Sequence, residues 1–314
     1  MLSNLRFVIV CGVCLVLPLA GVVDAQVAPD SPSPPVAQGA PHLEGRPAPA
    51  QADKSTYTLF NPTPAKLMRN LTTDRPDKTE SPYTVDAGHV QIEMDLVNYT
   101  QDHDTTSGAD TRLIRWAIAP INFKLGLCNR VDVQTVIETY NQVTTDDRVT
   151  GIKTRQSGFG DITSRLKVNL WGNDGGQSAL ALLPFIKYPT SQDHLGNSSV
   201  EGGLILPLAV ELPAGFSLGL MTEFDCNRDE AGSGHHVEFV NSVTLSRDLV
   251  GALGGYLEFW SGVSAERDAR WVGTFDVGLT YGLTDHIQID AGVNIGLTRA
   301  ADNIQPFLGL SLRF

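Results

Sequence analysis

The chain has 314 residues, and its 35 acidic side chains outnumber 23 basic ones to give a net charge of −12. That balance, with no basic patch interleaved with aromatics, excludes a nucleic-acid-binding surface. Beyond the amino-terminus no run approaches the roughly 18 consecutive apolar residues of a membrane helix, so a helical membrane protein is excluded as well.

Residues 1–25 read as an export signal: Arg6 is the positive flank, residues 7–20 the apolar core, and Val23-Asp24-Ala25 a small-residue cleavage site. Cys11 and Cys14 leave with it, so the mature chain keeps Cys128 and Cys226, which are read as unrelated thiols. Residues 26–70 are rich in Pro and Ala, as in Ser31-Pro32-Ser33-Pro34-Pro35, and lack periodic apolar positions. They are expected to form a disordered periplasmic linker.

Residues 71–87 are a charged entry motif built around Asp74, Arg75, Pro76, Asp77, Glu80 and Pro82. Two prolines and charges of both signs do not suit a lipid-facing strand, because proline removes ladder hydrogen bonds. The expectation is a compact segment that folds back inside a barrel as a plug. In it Arg75 pairs with Asp74, Asp77 or Glu80, or with a wall residue such as Glu93.

From residue 88 to 314 the pattern is period two. Val90, Ile92, Met94 and Leu96 alternate with Gln91, Glu93 and Asp95. A second strand spans about 111–127 and changes face near Pro120, where a bulge is expected. Further strands are marked by Val131, Val133 and Ile137; by Leu166, Val168 and Leu170; by residues 178–188; and by Leu204, Leu206 and Leu208. The series continues with Leu218, Leu220 and Phe224, then Phe239, Val243 and Leu245, then Leu257 and Phe259, then Phe275, Val277 and Leu279. In the last two strands Ile287, Ile289, Ala291, Val293 and Ile295 alternate with polar or small residues, as do Ile304, Pro306, Leu308, Leu310, Leu312 and Phe314. Phe307 is the one exception. Each run is about the 9–11 residues that a tilted strand needs to cross a bilayer. The fold class is therefore all-β: a transmembrane antiparallel up-and-down barrel of about 12 strands.

The connections alternate in length. Short turns are expected near residues 126–130, 172–176, 212–215, 246–251 and 282–286. Longer loops are expected at 101–110, 141–157, 189–199, 225–235 and 262–270, with a shorter one at 298–302. Short periplasmic turns and long external loops place both termini in the periplasm of an outer membrane. With the apolar face on lipid, the other face puts Glu93, Asp95, Lys124, Glu138, Arg165, Lys167, Lys187, Glu223, Glu238, Glu258, Asp276, Asp290 and Arg313 in the lumen, together with Asp132 and Glu201. Phe314 reads as an assembly signal for the barrel-assembly machinery.

Several motifs carry a family resemblance. The stretch 73–85 followed by Gly88-His89-Val90-Gln91-Ile92-Glu93 is the first, and Gly158-Phe159-Gly160-Asp161 with Lys167 the second. Residues 181–190 ending in Pro189-Thr190, Gly282-Leu283-Thr284-Asp285 and the closing 309–314 complete the set. Together they resemble the MetA-pathway of phenol degradation family. The resemblance implies an outer-membrane transporter passing small, aromatic or hydrophobic solutes, and it implies no reaction.

Two other classes remain as alternatives: a structural barrel that tethers the envelope without transport, and an outer-membrane hydrolase. Ser233-Gly234-His235-His236 invites the latter, but adjacent loop residues do not make a triad and no G-x-S-x-G is present. His103, His194, His235, His236 and His286 lie at strand tips with no H-E-x-x-H spacing. No catalytic group, metal or cofactor is expected.

Overall fold

Alternation on this scale must resolve into strands whose two faces see different solvents, and the computed structural model of the chain shows that arrangement. It describes residues 53–229, 234–267 and 269–314. The export signal (1–25) and linker residues 26–52 lie outside the described residues, as does Ser233.

Twelve antiparallel strands form one sheet. β1 is Val90–Asp104. β2, β3 and β4 are each interrupted once: Thr111–Ile118 with Ile121–Cys128, Val131–Ile137 with Tyr140–Asp147, and Ile152–Gly158 with Ile162–Trp171. The remainder run unbroken: β5 Ser178–Tyr188, β6 Glu201–Glu211, β7 Phe216–Arg228, β8 His235–Val250, β9 Leu253–Ser264, β10 Val272–Thr284, β11 Ile287–Gly296 and β12 Ile304–Arg313. Each strand pairs with its sequence neighbours, and β12 returns to β1 in register from Gln91↔Arg313 to Gln101↔Ile304. Closure pairs the strands around the barrel, as strands in hydrocarbon require, and of the described strands only Ile152–Gly158 at the loop end pairs on one side alone, with Tyr140–Asp147.

The faces are inverted relative to a water-soluble protein. On β9, Leu257 is 50% and Phe259 38% exposed, whereas Glu258 between them is 1% exposed. On β10, Phe275 and Leu279 are exposed and Asp276 is buried. Polar residues thus line the interior and apolar ones the outside, as expected of a barrel in lipid. Phe307, which breaks the alternation, points to the interior and is 8% exposed.

The interruption in β2 falls at Ala119 and Pro120, with Ala119 at φ 50°. Below it Phe123 is exposed and Lys124 buried; above it the exposed apolar residues are Trp116 and Ile118, one position out of phase. The face change expected at Pro120 is therefore a one-residue slip.

Five short turns and both the start of β1 and Phe314 lie at one end of the barrel, the turn end; the other end is the loop end. Two expectations are corrected here. Residues 141–157 do not form a long loop: Tyr140–Asp147 and Ile152–Gly158 pair from Asn141↔Gly158 to Asp147↔Ile152, leaving 148–151 as the turn. This hairpin has no continuous apolar face, so periodicity does not reveal it, yet β2 holds it through Thr111↔Asp147 to Ile118↔Tyr140. The second correction concerns residues 53–70, which are docked at the turn end. Leu59 N–H donates to Leu127 O (2.8 Å) and Thr63 N–H to Ala87 O (2.9 Å).

Candidate functional site in the barrel interior

A chain inside a barrel has no ladder partner, so its backbone N–H groups must find acceptors elsewhere. Residues 73–86 find them in the acidic wall. The Asp74 N–H donates to Glu93 Oε2 (3.0 Å) on β1, and the Val85 N–H to Asp132 Oδ2 (2.9 Å) on β3. Lys78 and Thr79 N–H both donate to the Glu258 carboxylate on β9, at 2.9 and 2.8 Å. The Thr79 hydroxyl adds a bond to Glu258 Oε1 (2.6 Å) and meets the Ser242 hydroxyl of β8 (2.6 Å). Asn169 Nδ2 on β4 donates to Pro82 O (2.9 Å). The carboxylates on β1, β3 and β9 therefore have a specific use: they receive the backbone of the inserted segment.

Charged pairs fix the same segment sideways. Asp74 lies between Lys124 of β2 (2.5 Å) and Lys167 of β4 (2.6 Å), and Lys124 also bonds Glu93. Lys167 is wholly buried, a position several kcal/mol unfavourable for an ion without a partner. Glu80 pairs with Arg165 (2.6 Å), and Lys78 with Asp276 (3.2 Å) beside the Trp260 ring. Asp77 sits by Thr244 and Glu258. Pro76 faces a cavity of about 410 Å³ on the turn-end side.

Arg75 does not pair within its own motif or with Glu93. Its guanidinium bridges Asp95 of β1 (2.6 Å) and Asp290 of β11 (2.7 Å), with the Phe307 ring 5.8 Å away. A side chain at Gly309 would collide with the guanidinium, so glycine on β12 makes room for it. The other expected lining residues are distributed around this core. Lys187 bonds Glu201 (2.5 Å), Glu238 accepts from Asn227 (3.1 Å), and Glu138 accepts from Asn141 (2.8 Å). Glu223 faces Asp225 two residues on along β7. Arg313 sits at the turn end rather than in mid-lumen, donating to Arg69 O (2.7 Å) and Asp285 O (3.1 Å).

The interior also holds an apolar cluster that alternation alone does not single out: Leu183, Ile205, Met221 and Val240, with Phe185 and Trp260 against them. It lies on β5–β9, and Met221 Sδ accepts from the Glu80 N–H (3.4 Å). On the loop-end side the interior widens into a cavity of about 1000 Å³.

Sequence reasoning also missed a clasp at the turn end. Lys54 pairs with Asp174 (3.0 Å) and Asp86 (3.5 Å), and Arg69 with Asp174 (3.2 Å) and Asp86 (3.3 Å). The Arg69 side chain also donates to Thr84 O (2.9 Å), tying residues 53–70 to the base of the inserted segment. Burial raises the Asp174 carboxyl, but bonds from Asn129 and Lys54 and the Arg69 charge outweigh it and leave the pKa below the ordinary carboxylate value. A lowered folded-state pKa contributes stability above the unfolded value of about 4, lost as pH falls through the folded value. Residues 53–70 should therefore stay docked between about pH 5 and 8 and loosen only in stronger acid. Hydrogen exchange of 53–70 against pH checks this, and release already at neutral pH would contradict it.

The histidines do not assemble a hydrolase site among the described residues. His235 is exposed beside the Ser199 hydroxyl (3.3 Å), while His236 turns inward to Asp229 (3.0 Å). Cys128 and Cys226 are free and lie at opposite ends of the barrel.

A closed twelve-stranded barrel with apolar residues outside and a charged, occupied lumen defines an outer-membrane-type β-barrel. The family described as "Putative MetA-pathway of phenol degradation" matches residues 73–314, and the chain belongs to it. Its fold is similar to that of the COG4313 outer membrane channel from Pseudomonas putida F1, with 12% identity, 77% of this chain and 100% of that one covered, and a TM-score of 0.56. It is also similar to the transport unit of the autotransporter AIDA-I from Escherichia coli, with 11% identity, 72% and 90% covered, and a TM-score of 0.50. Among curated proteins nothing matches.

Proposed function

We propose that the protein is a plugged outer-membrane channel for small solutes, in which residues 71–87 are the plug and residues 88–314 the conduit. The observation that carries this reading is the inserted segment itself. Its backbone and charges are held by side chains of nine strands, and a cavity lies on each side of it. An ion in the interior is several kcal/mol unfavourable without a partner, so paired charges of this kind hold the segment in place until water replaces the partner. The apolar cluster on β5–β9 is buried while the segment is docked; once the segment moves it would give a hydrophobic or aromatic solute a dry wall beside the charged ones. No catalytic chemistry is assigned. The turn end faces the periplasm, so both ends of the described chain do, and residues 53–70 are docked there.

Uptake tests the solute class. In liposome-swelling assays, protein lacking residues 71–85 should admit small aromatic solutes faster than the wild type. If neither admits any solute, the structural alternative of a non-transporting envelope barrel gains.

The carboxy-terminal strand is proposed as the contact for the barrel-assembly machinery. Phe314 is 67% exposed and its backbone closes the β12–β1 seam through Val90 (2.8 and 3.2 Å). Phe314→Asp should lower the amount of heat-modifiable barrel in outer-membrane fractions, and unchanged assembly would remove the role assigned to this side chain.

A further inference from the structure

At the loop end three consecutive strands bring together an imidazole and two carboxylates. Asp229 follows β7, His236 is the second residue of β8, and Glu266 lies two residues past β9. Each position is fixed by the backbone around it. Asn227 pairs with His236 in the β7–β8 ladder, Asp229 N–H donates to Gly234 O (3.0 Å), and Ala265 N–H donates to Val237 O (2.8 Å). The Glu266 N–H is held by the Ser264 hydroxyl (3.0 Å). His236 Nδ1 lies 3.0 Å from Asp229 Oδ1 and 3.7 Å from Glu266 Oε2, and one ligand atom from each residue falls within 4.8 Å of the others. The side chains are 13%, 27% and 22% exposed, so this is a recessed set rather than a scatter of surface acids.

From these observations we infer that Asp229, His236 and Glu266 bind one divalent transition-metal ion of the zinc class at the mouth of the barrel. Zinc takes nitrogen and oxygen ligands at about 2.0–2.2 Å, which in a tetrahedral set puts ligand atoms roughly 3.3–3.6 Å apart. The two separations at His236, 3.0 and 3.7 Å, fall just either side of that range, so small rotations of the carboxylates complete the site. An imidazole with two carboxylates favours zinc, nickel or copper over magnesium or calcium, which prefer all-oxygen sets. The cavity of about 1000 Å³ leaves room for water at the remaining positions. Glu238, Asp102 and Asp104 line the same cavity, as do Arg228, Arg267, Arg270 and Arg299. The net field at the mouth is therefore mixed, and the site depends on its nitrogen donor rather than on bulk negative charge. A bound ion would cross-link the ends of β7, β8 and β9 and add positive charge to the mouth. None of this depends on the channel reading.

The test is isothermal titration of zinc chloride into untagged, chelator-treated protein in detergent, with thermal unfolding followed in parallel. Saturable one-to-one binding and a raised melting temperature are expected. His236→Ala should weaken binding by about 10–100-fold or more. Asp229→Asn and Glu266→Gln should each weaken it, whereas His235→Ala should bind as wild type. Heat-modifiable gel migration confirms that each variant is a folded barrel. Magnesium at equal concentration should not compete. Absence of saturable zinc binding, equal binding by His236→Ala, or loss in His235→Ala would each overturn the assignment.

Discussion

Replacing Asp74 by alanine should undock the inserted segment without unfolding the barrel. The change strips Lys167, wholly buried on β4, of its ion-pair partner at 2.6 Å and leaves Lys124 with Glu93 alone. Removing one member of a buried pair costs about 3–5 kcal/mol, because the remaining charge stays desolvated. Here that cost falls on the docked state of residues 73–86, since moving the segment lets water reach Lys167 while the ladders of β2 and β4 stay intact. Hydrogen exchange and limited proteolysis should show residues 73–86 exposed and the strands still protected. Asp74→Asn should have a smaller effect, because the amide can still accept a hydrogen bond from a lysine. If exchange in 73–86 were unchanged in Asp74→Ala, the anchoring role of this network would be wrong.

Leu308→Arg should destabilise the barrel by about 2–4 kcal/mol if the site lies near the bilayer midplane. Leu308 stands on β12 with its side chain outside, 42% exposed, where the surroundings are hydrocarbon. Asn294, on the adjacent β11, faces the interior and bonds Gln305 (2.8 Å), so Asn294→Arg places its charge among polar groups and should be mild by comparison. Urea unfolding of the two variants in lipid vesicles gives the comparison. Equal tolerance at both positions would mean a sheet wetted on both faces and would contradict the membrane assignment.

These expectations show where the sequence is informative and where it falls silent. The twelve strands are legible because lipid and lumen impose opposite demands at every second residue, as at Leu257, Glu258 and Phe259. The slip at Pro120 is legible for the same reason, since one displaced residue reverses the faces. The hairpin of Tyr140–Asp147 and Ile152–Gly158 is not, because it lacks the continuous apolar face that marks the other strands. The Arg75 partners are hidden for a different reason. Asp95 and Asp290 are 20 and 215 residues away, and only the closure of β12 on β1 brings them to one guanidinium. Nearby Asp74 and Glu80, which look like natural partners in the sequence, are taken by Lys124, Lys167 and Arg165. The clasp of Lys54 and Arg69 lies in a stretch without periodic apolar residues, so its order comes from ion pairs that composition does not announce. Phe307 reads as an error in the alternation and is instead an interior residue beside Arg75.

The central claim is that residues 71–87 close the lumen of a channel. Single-channel recording in planar bilayers, comparing the wild type with protein lacking residues 71–85, tests it most directly. The wild type should be mostly closed, and the deletion variant should show larger and more frequent openings. Identical conductance in the two proteins would contradict it.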